Sequence, residues 1–80
     1  MNEIIEVLIE HIRKESGYTG PVSVDEDLIQ AGILDSFSIV SLAVFAQQRF
    51  EVELEGDDLV RENLARLSSL AQLIEQRRAG

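Results

Sequence analysis

The residues of this chain able to do chemistry are serines, carboxylates and one histidine, and one short run sets two of them apart. Ser36 follows Asp35 and precedes the apolar Phe37 in Gly32-Ile33-Leu34-Asp35-Ser36-Phe37-Ser38-Ile39-Val40. A helical repeat begins there. A Ser or Asp oxygen at a helix start can accept a hydrogen bond from a free backbone N–H. The same place suits a covalently attached anion such as a phosphodiester, because the positive end of the helix dipole lies beside it. The two uses are compatible. No base or oxyanion donor set is visible that could make Ser36 a nucleophile by itself. Ser16, Ser23, Ser38 and Ser41 lack this context, and Ser68-Ser69 read as the cap of a last helix. His11, the single histidine, sits at the edge of an apolar helical stripe and reads as a partly exposed helix residue. The absence of Cys removes disulfides, thiolate metal sites and thiol nucleophiles. The five acids between Glu51 and Asp58 lack the spacing of a calcium loop and read as a solvated surface first, a docking surface second.

The elements that must position Ser36 are helical. Ile4, Ile5, Leu8, Ile9 and Ile12 recur at helical spacing and predict an amphipathic helix over 3–15, ended by Gly17 and kept from resuming by Gly20-Pro21. Residues 16–35 form a long connection with apolar residues that can pin it to a core, among them Val22, Val24, Leu28, Ile29, Ile33 and Leu34. Within it, 25–32 predicts a short helical turn capped by an acid and stopped by Gly32. A second long helix covers 36–50. Ile39, Leu42, Ala43, Ala46 and Phe50 share its core face. Phe37, Val40 and Val44 lie on another face, more apolar surface than a core contact needs. The alternating stretch 51–56 has no partner strand and reads as an extended loop. Asp57 is placed to cap a short helix over 58–62, and Ser68 to cap a final helix over 69–78. The expected fold is all-α: a four-helix bundle of three longer helices and a short third one, with a long structured loop after the first.

Composition narrows the function. Eighty residues, 45% hydrophobic, suffice for one small core, so 1–80 reads as a single domain of modest stability. Fifteen acids against seven bases give 15 − 7 = 8 net negative charges. Such a surface repels nucleic acid and anionic membranes and attracts basic partners. No apolar run reaches the length of a transmembrane span. The acidic N-terminal stretch is wrong for a signal or transit peptide, which points to a cytoplasmic protein, and a monomer is expected.

Asp27-Leu28, then Gly32, then Asp35-Ser36-Phe37 at a mid-chain helix start form a far more specific pattern than a lone Asp-Ser. With Phe50 ending the second helix and Asp57-Asp58-Leu59 at the short third helix, the chain resembles an acyl or peptidyl carrier protein over essentially its whole length. The resemblance implies a four-helix bundle and no catalysis of its own. It implies a 4′-phosphopantetheine arm on Ser36, with Asp35 as the motif residue, attached from coenzyme A by a separate phosphopantetheinyl transferase. Cargo would ride on the arm's thiol as a thioester, supplied by an adenylating or acyl-loading ligase and taken up by downstream acyl- or peptidyl-transfer enzymes. Fatty-acid carriers usually show Asp-Ser-Leu and an acidic second helix. Here Phe37 follows the serine and 36–50 holds no acid. The run is closer to D-alanyl and free-standing peptidyl carriers, so an aminoacyl or peptidyl cargo is expected.

A partner enzyme reaching the arm must approach beside Ser36. Phe37, Val40 and Val44 are expected to meet it, with Asp57 and Asp58 steering it. A small acidic helical adaptor without a covalent cofactor would also fit the composition, but it leaves 27–37 unexplained. An enzyme reading fails on one His, no Cys and no converging catalytic set.

Overall fold

The computed structural model of the chain describes residues 2–79, and its order is four helices with one 3-10 turn. Helix α1 spans Asn2–Ser16, α2 Ser36–Phe50, α3 Arg61–Leu64 and α4 Leu67–Ala79, with the 3-10 turn at Gly56–Asp58. The all-α expectation holds. The first two helices fall within a residue of the expected bounds. In α1, Ile4, Leu8 and Ile12 recur one turn apart and are almost wholly buried, as an amphipathic stripe facing a core must be. They join Leu42 and Ala46 from α2, Leu64 from α3, and Leu70 and Ile74 from α4 in one apolar cluster. Gly17 ends α1 in the left-handed region (φ 73), donating to the Arg13 carbonyl at 2.9 Å.

The connection between α1 and α2 is structured throughout. Its first turn is held by Arg13, whose guanidinium donates to the carbonyls of Tyr18 (3.3 Å) and Gly20 (2.8 Å). Its middle is anchored by fully buried Leu28, whose N–H donates to the Ala65 carbonyl at 2.9 Å. The expected short turn is present, and its acid cap is Asp27: the carboxylate accepts from the N–H groups of Ile29 (3.0 Å) and Gln30 (3.1 Å). Arg61 pairs with the same carboxylate at 3.2 Å. Helix N–H bonding together with Arg61 holds the Asp27 carboxyl below the ordinary carboxylate value, with the Gln30 N–H the largest cause. Gly32 closes the turn at φ 81, a conformation costly to residues with a Cβ.

Residues 51–55 form the expected extended loop. Val52 and Leu54 are buried while Glu51, Glu53 and Glu55 are exposed, so the alternation is real although no strand forms among the described residues. Gln47 replaces a partner strand: its side-chain oxygen accepts from Leu54 N–H at 3.0 Å.

Two short elements differ from expectation. The expected helix over 58–62 is instead the 3-10 turn, capped by Glu55 rather than Asp57, followed by the single turn of α3. The last helix begins at Leu67, so Ser68 lies inside it, and its N–H donates to the Val24 carbonyl at 2.9 Å. That long-range bond takes the place of the local cap.

Candidate attachment site

Ser36 is the first residue of α2, and the fold sets it at the surface by burying its neighbours on both sides. Leu34 before it and Ile39 after it are core residues; Asp35, Ser36 and Phe37 between them are exposed. Asp35 is the N-cap: its backbone is extended (φ −118, ψ −177) and its Oδ1 accepts from the Ser38 N–H at 2.8 Å. Its carbonyl accepts from Ile39 N–H at 3.1 Å and so starts the helical ladder. The Ser38 N–H, helped by the Ser38 hydroxyl, holds the Asp35 carboxyl below its ordinary value, and burial opposes this only partly. Asp35 is thus ionised at neutral pH and already occupies the Ser38 N–H. An anion on Ser36 therefore shares the helix start with a carboxylate, a change from the expectation of free N–H groups.

The apolar face expected on α2 is exposed. Phe37 is 83% accessible, Val40 57% and Val44 48%. Ile39, Leu42, Ala43 and Ala46 face the core as expected. The sequence reading missed Leu59 and Val60, which are 43% and 39% accessible on the segment leading into α3. The helix expected over 58–62 would have enclosed them, but α3 begins only at Arg61. Helix α3, which follows them, packs against α2.

The two acids expected to steer a partner part company. Asp57 is exposed. Asp58 is buried at 8% accessibility, and its carboxylate receives Arg77 at 2.7 and 2.8 Å and the Glu55 N–H at 3.1 Å. Arg77 is the main cause holding the Asp58 carboxyl below the ordinary value. Asp58 is therefore a tie between the 3-10 turn and α4, and its docking role is withdrawn: a carboxylate neutralised and buried within the fold presents no charge to a partner.

His11 is half-buried, its ring stacked on Phe45 at 3.9 Å between centroids and 11° between planes. Its Nε2 is buried without a hydrogen-bond partner. Among the described residues no group of three His, Cys, Asp or Glu side chains is placed to hold a metal ion, and no helix is long and apolar enough to cross a membrane.

A helical bundle with an exposed serine at the capped start of a long helix, beside an apolar face, is of the class able to present an attached group. Comparison with known families gives that class its name. The family described as the phosphopantetheine attachment site matches residues 6–75, and the chain belongs to it. It is thus a carrier protein with a 4′-phosphopantetheine prosthetic group, from a family that carries acyl groups without catalysing reactions. The D-alanyl carrier protein of Bacillus mycoides (strain KBAB4) is 38% identical over 54 residues, which cover 68% of each chain. Those of Bacillus cereus (strain B4264) and Bacillus anthracis (strain CDC 684 / NRRL 3495) are 36% identical over 54 residues with the same coverage. No solved structure matches. The chain's own residues fit the group: the exposed Ser36 stands at the Asp35-capped start of α2. When bound, the arm supplies a terminal thiol that holds cargo as a thioester.

Proposed function

We propose that Ser36 carries the arm and that residues 1–80 act as one monomeric carrier domain in the cytoplasm. A phosphopantetheinyl transferase would join Ser36 Oγ to the pantetheine-bearing phosphorus of coenzyme A. The phosphoanhydride bond breaks, the adenosine bisphosphate leaves, and the seryl proton passes to a base of the transferase. An adenylating ligase then loads an aminoacyl group, and transfer enzymes of a biosynthetic or cell-wall pathway take it up. The likeness to D-alanyl carrier proteins favours D-alanine as cargo. The observation that carries the reading is the exposed Ser36 at the Asp35-capped start of α2, inside the span matched by the family. The adaptor alternative lacks a use for that arrangement.

The docking face follows from the same placement. Phe37, Val40 and Val44 meet the ligase, and Asp57 contributes steering without Asp58. With no acid in 36–50, contact along α2 is mainly apolar. The test is an intact mass after incubation with coenzyme A and a permissive transferase. A gain of one phosphopantetheine is expected, and an unchanged mass refutes the assignment.

A further inference from the structure

Residues 27–34, which lead into α2, form a turn closed on itself. Asp27 Oδ1 caps it through the Ile29 and Gln30 N–H groups. The Asp27 carbonyl accepts from Ala31 N–H at 3.0 Å, and the Ile29 carbonyl from Gly32 N–H at 3.0 Å. The Leu28 carbonyl accepts from both Ile33 N–H and Leu34 N–H, each at 3.0 Å. The residues that follow are Asp35 and Ser36. Among the described residues, hydrogen bonds reach this turn from the rest of the bundle at two points, one at each end of α3. Leu28 N–H donates to the carbonyl of Ala65, the C-cap of α3, at 2.9 Å. Arg61, the first residue of α3, donates through Nη2 to Asp27 Oδ2 at 3.2 Å.

Folding alone does not explain the Arg61–Asp27 pair. The Arg61 side chain is 54% exposed, and an exposed ion pair contributes little to stability. The turn does not need it either, since Oδ1 alone takes both capping N–H groups and leaves Oδ2 to Arg61. What the pair adds is direction. Buried Leu28 and Leu34 hold the turn against the core, but apolar packing is non-directional. A charge-assisted hydrogen bond from a planar guanidinium fixes an orientation. We infer that Asp27 and Arg61 are positioning residues for the chemistry at Ser36: they orient on α3 the turn that delivers the Ser36 hydroxyl to the transferase. The inference rests on attachment at Ser36. The transfer needs that hydroxyl in line with the pantetheine-bearing phosphorus of coenzyme A, and a misplacement of about 1 Å can cost about 100-fold in rate. Neither side chain touches the reacting atoms. Their effect runs from Arg61 to Asp27, through the Leu28 carbonyl to Leu34, and so to Asp35 and Ser36.

The test follows transfer from coenzyme A by a permissive transferase in excess over the full chain, comparing the unaltered chain with Asp27→Asn, Arg61→Met and the double variant. Asn keeps an oxygen to cap the turn, and Met keeps the helix preference of Arg. Each single change is expected to lower the limiting rate about tenfold and to move the half-saturating transferase concentration by less than about twofold. The double variant is expected to match the single ones, because either change already breaks the pair. In Arg61→Met, the amide resonances of 33–38 are expected to shift. Unaltered rates, a loss confined to half-saturation, losses that multiply in the double variant, or unmoved resonances at 33–38 each overturn the inference and leave attachment at Ser36 standing. Unfolding of the single variants at the assay temperature makes the pair a stability element and overturns it as well. An unaltered chain that takes up no phosphopantetheine removes the attachment reading itself.

Discussion

Helices α1 and α2 are both 15 residues long, and they use their apolar residues in opposite ways. Helix α1 turns Ile4, Leu8 and Ile12 fully inward and covers its outer side with Glu3, Glu6, Glu10 and Lys14. Helix α2 also fills the core, with Ile39, Leu42, Ala43 and Ala46, yet it leaves Phe37, Val40 and Val44 in water and has no acid at all. The requirements of folding account for α1 completely. They do not account for the outer face of α2, since exposed apolar side chains add nothing to the stability of an isolated bundle. The difference separates residues that hold the bundle together from exposed residues that the proposed docking role would use, and Ser36 stands at the end of the second group.

Substitutions on the two helices should therefore divide cleanly. Leu8→Ala in α1 empties a fully buried site and should cost about 2–5 kcal/mol of stability by denaturant titration. On α2, Val44→Asp should leave the melting temperature nearly unchanged while slowing cargo loading by the cognate ligase about tenfold or more. A charge placed without a partner in a desolvated contact costs on the order of 1–3 kcal/mol. Unfolding of Val44→Asp would make Val44 a core residue and erase the contrast. Full-rate loading by the folded variant would place the ligase elsewhere.

Acid sharpens the comparison from another side. Asp27, Asp35 and Asp58 all titrate below their ordinary value in the folded chain, each mainly through hydrogen bonds or Arg77. A depressed folded value means the folded state binds the proton more weakly than the unfolded chain. Their contribution is thus complete above the unfolded value of about 3.9 and is lost as pH falls through the folded values. Melting temperature should hold steady from neutral pH down to that point and then drop. Asp58→Asn should shrink the acid-dependent loss and weaken the tie to α4. Stability that rose on acidification would contradict the assignment. The smallest effect is expected at the end of α2, where Glu51 adopts the left-handed conformation at φ 54. Glu51→Gly should relieve that strain and raise stability by about 1 kcal/mol or less, read from the denaturant midpoint.

How much could be read from the sequence follows the range of the forces involved. The long helices were legible because Ile4, Leu8 and Ile12, and likewise Ile39, Leu42 and Ala46, repeat their pattern over several turns. The capped, exposed start of α2 was legible because Asp35-Ser36 is a local signal, a cap and its neighbour. The short elements were not. Val60 before α3 has no side-chain oxygen to announce a cap, and the Ser68 N–H is taken by Val24, far away in the chain. The role of Asp58 was hidden for the same reason, since Arg77 lies 19 residues further on. Nothing local marks the stack of His11 on Phe45, which joins α1 to α2.

The central claim, that the Asp35-capped start of α2 exists to present Ser36, is tested most directly by locating the arm. The chain and its Ser36→Ala variant are treated with coenzyme A and a permissive transferase, digested, and sequenced by tandem mass spectrometry. The expected result is one phosphopantetheine on the peptide containing 35–38, assigned to Ser36, and none on the variant, whose helix content stays the same. An arm found on Ser38, Ser41 or any other residue, or a variant modified to the same extent, would contradict it.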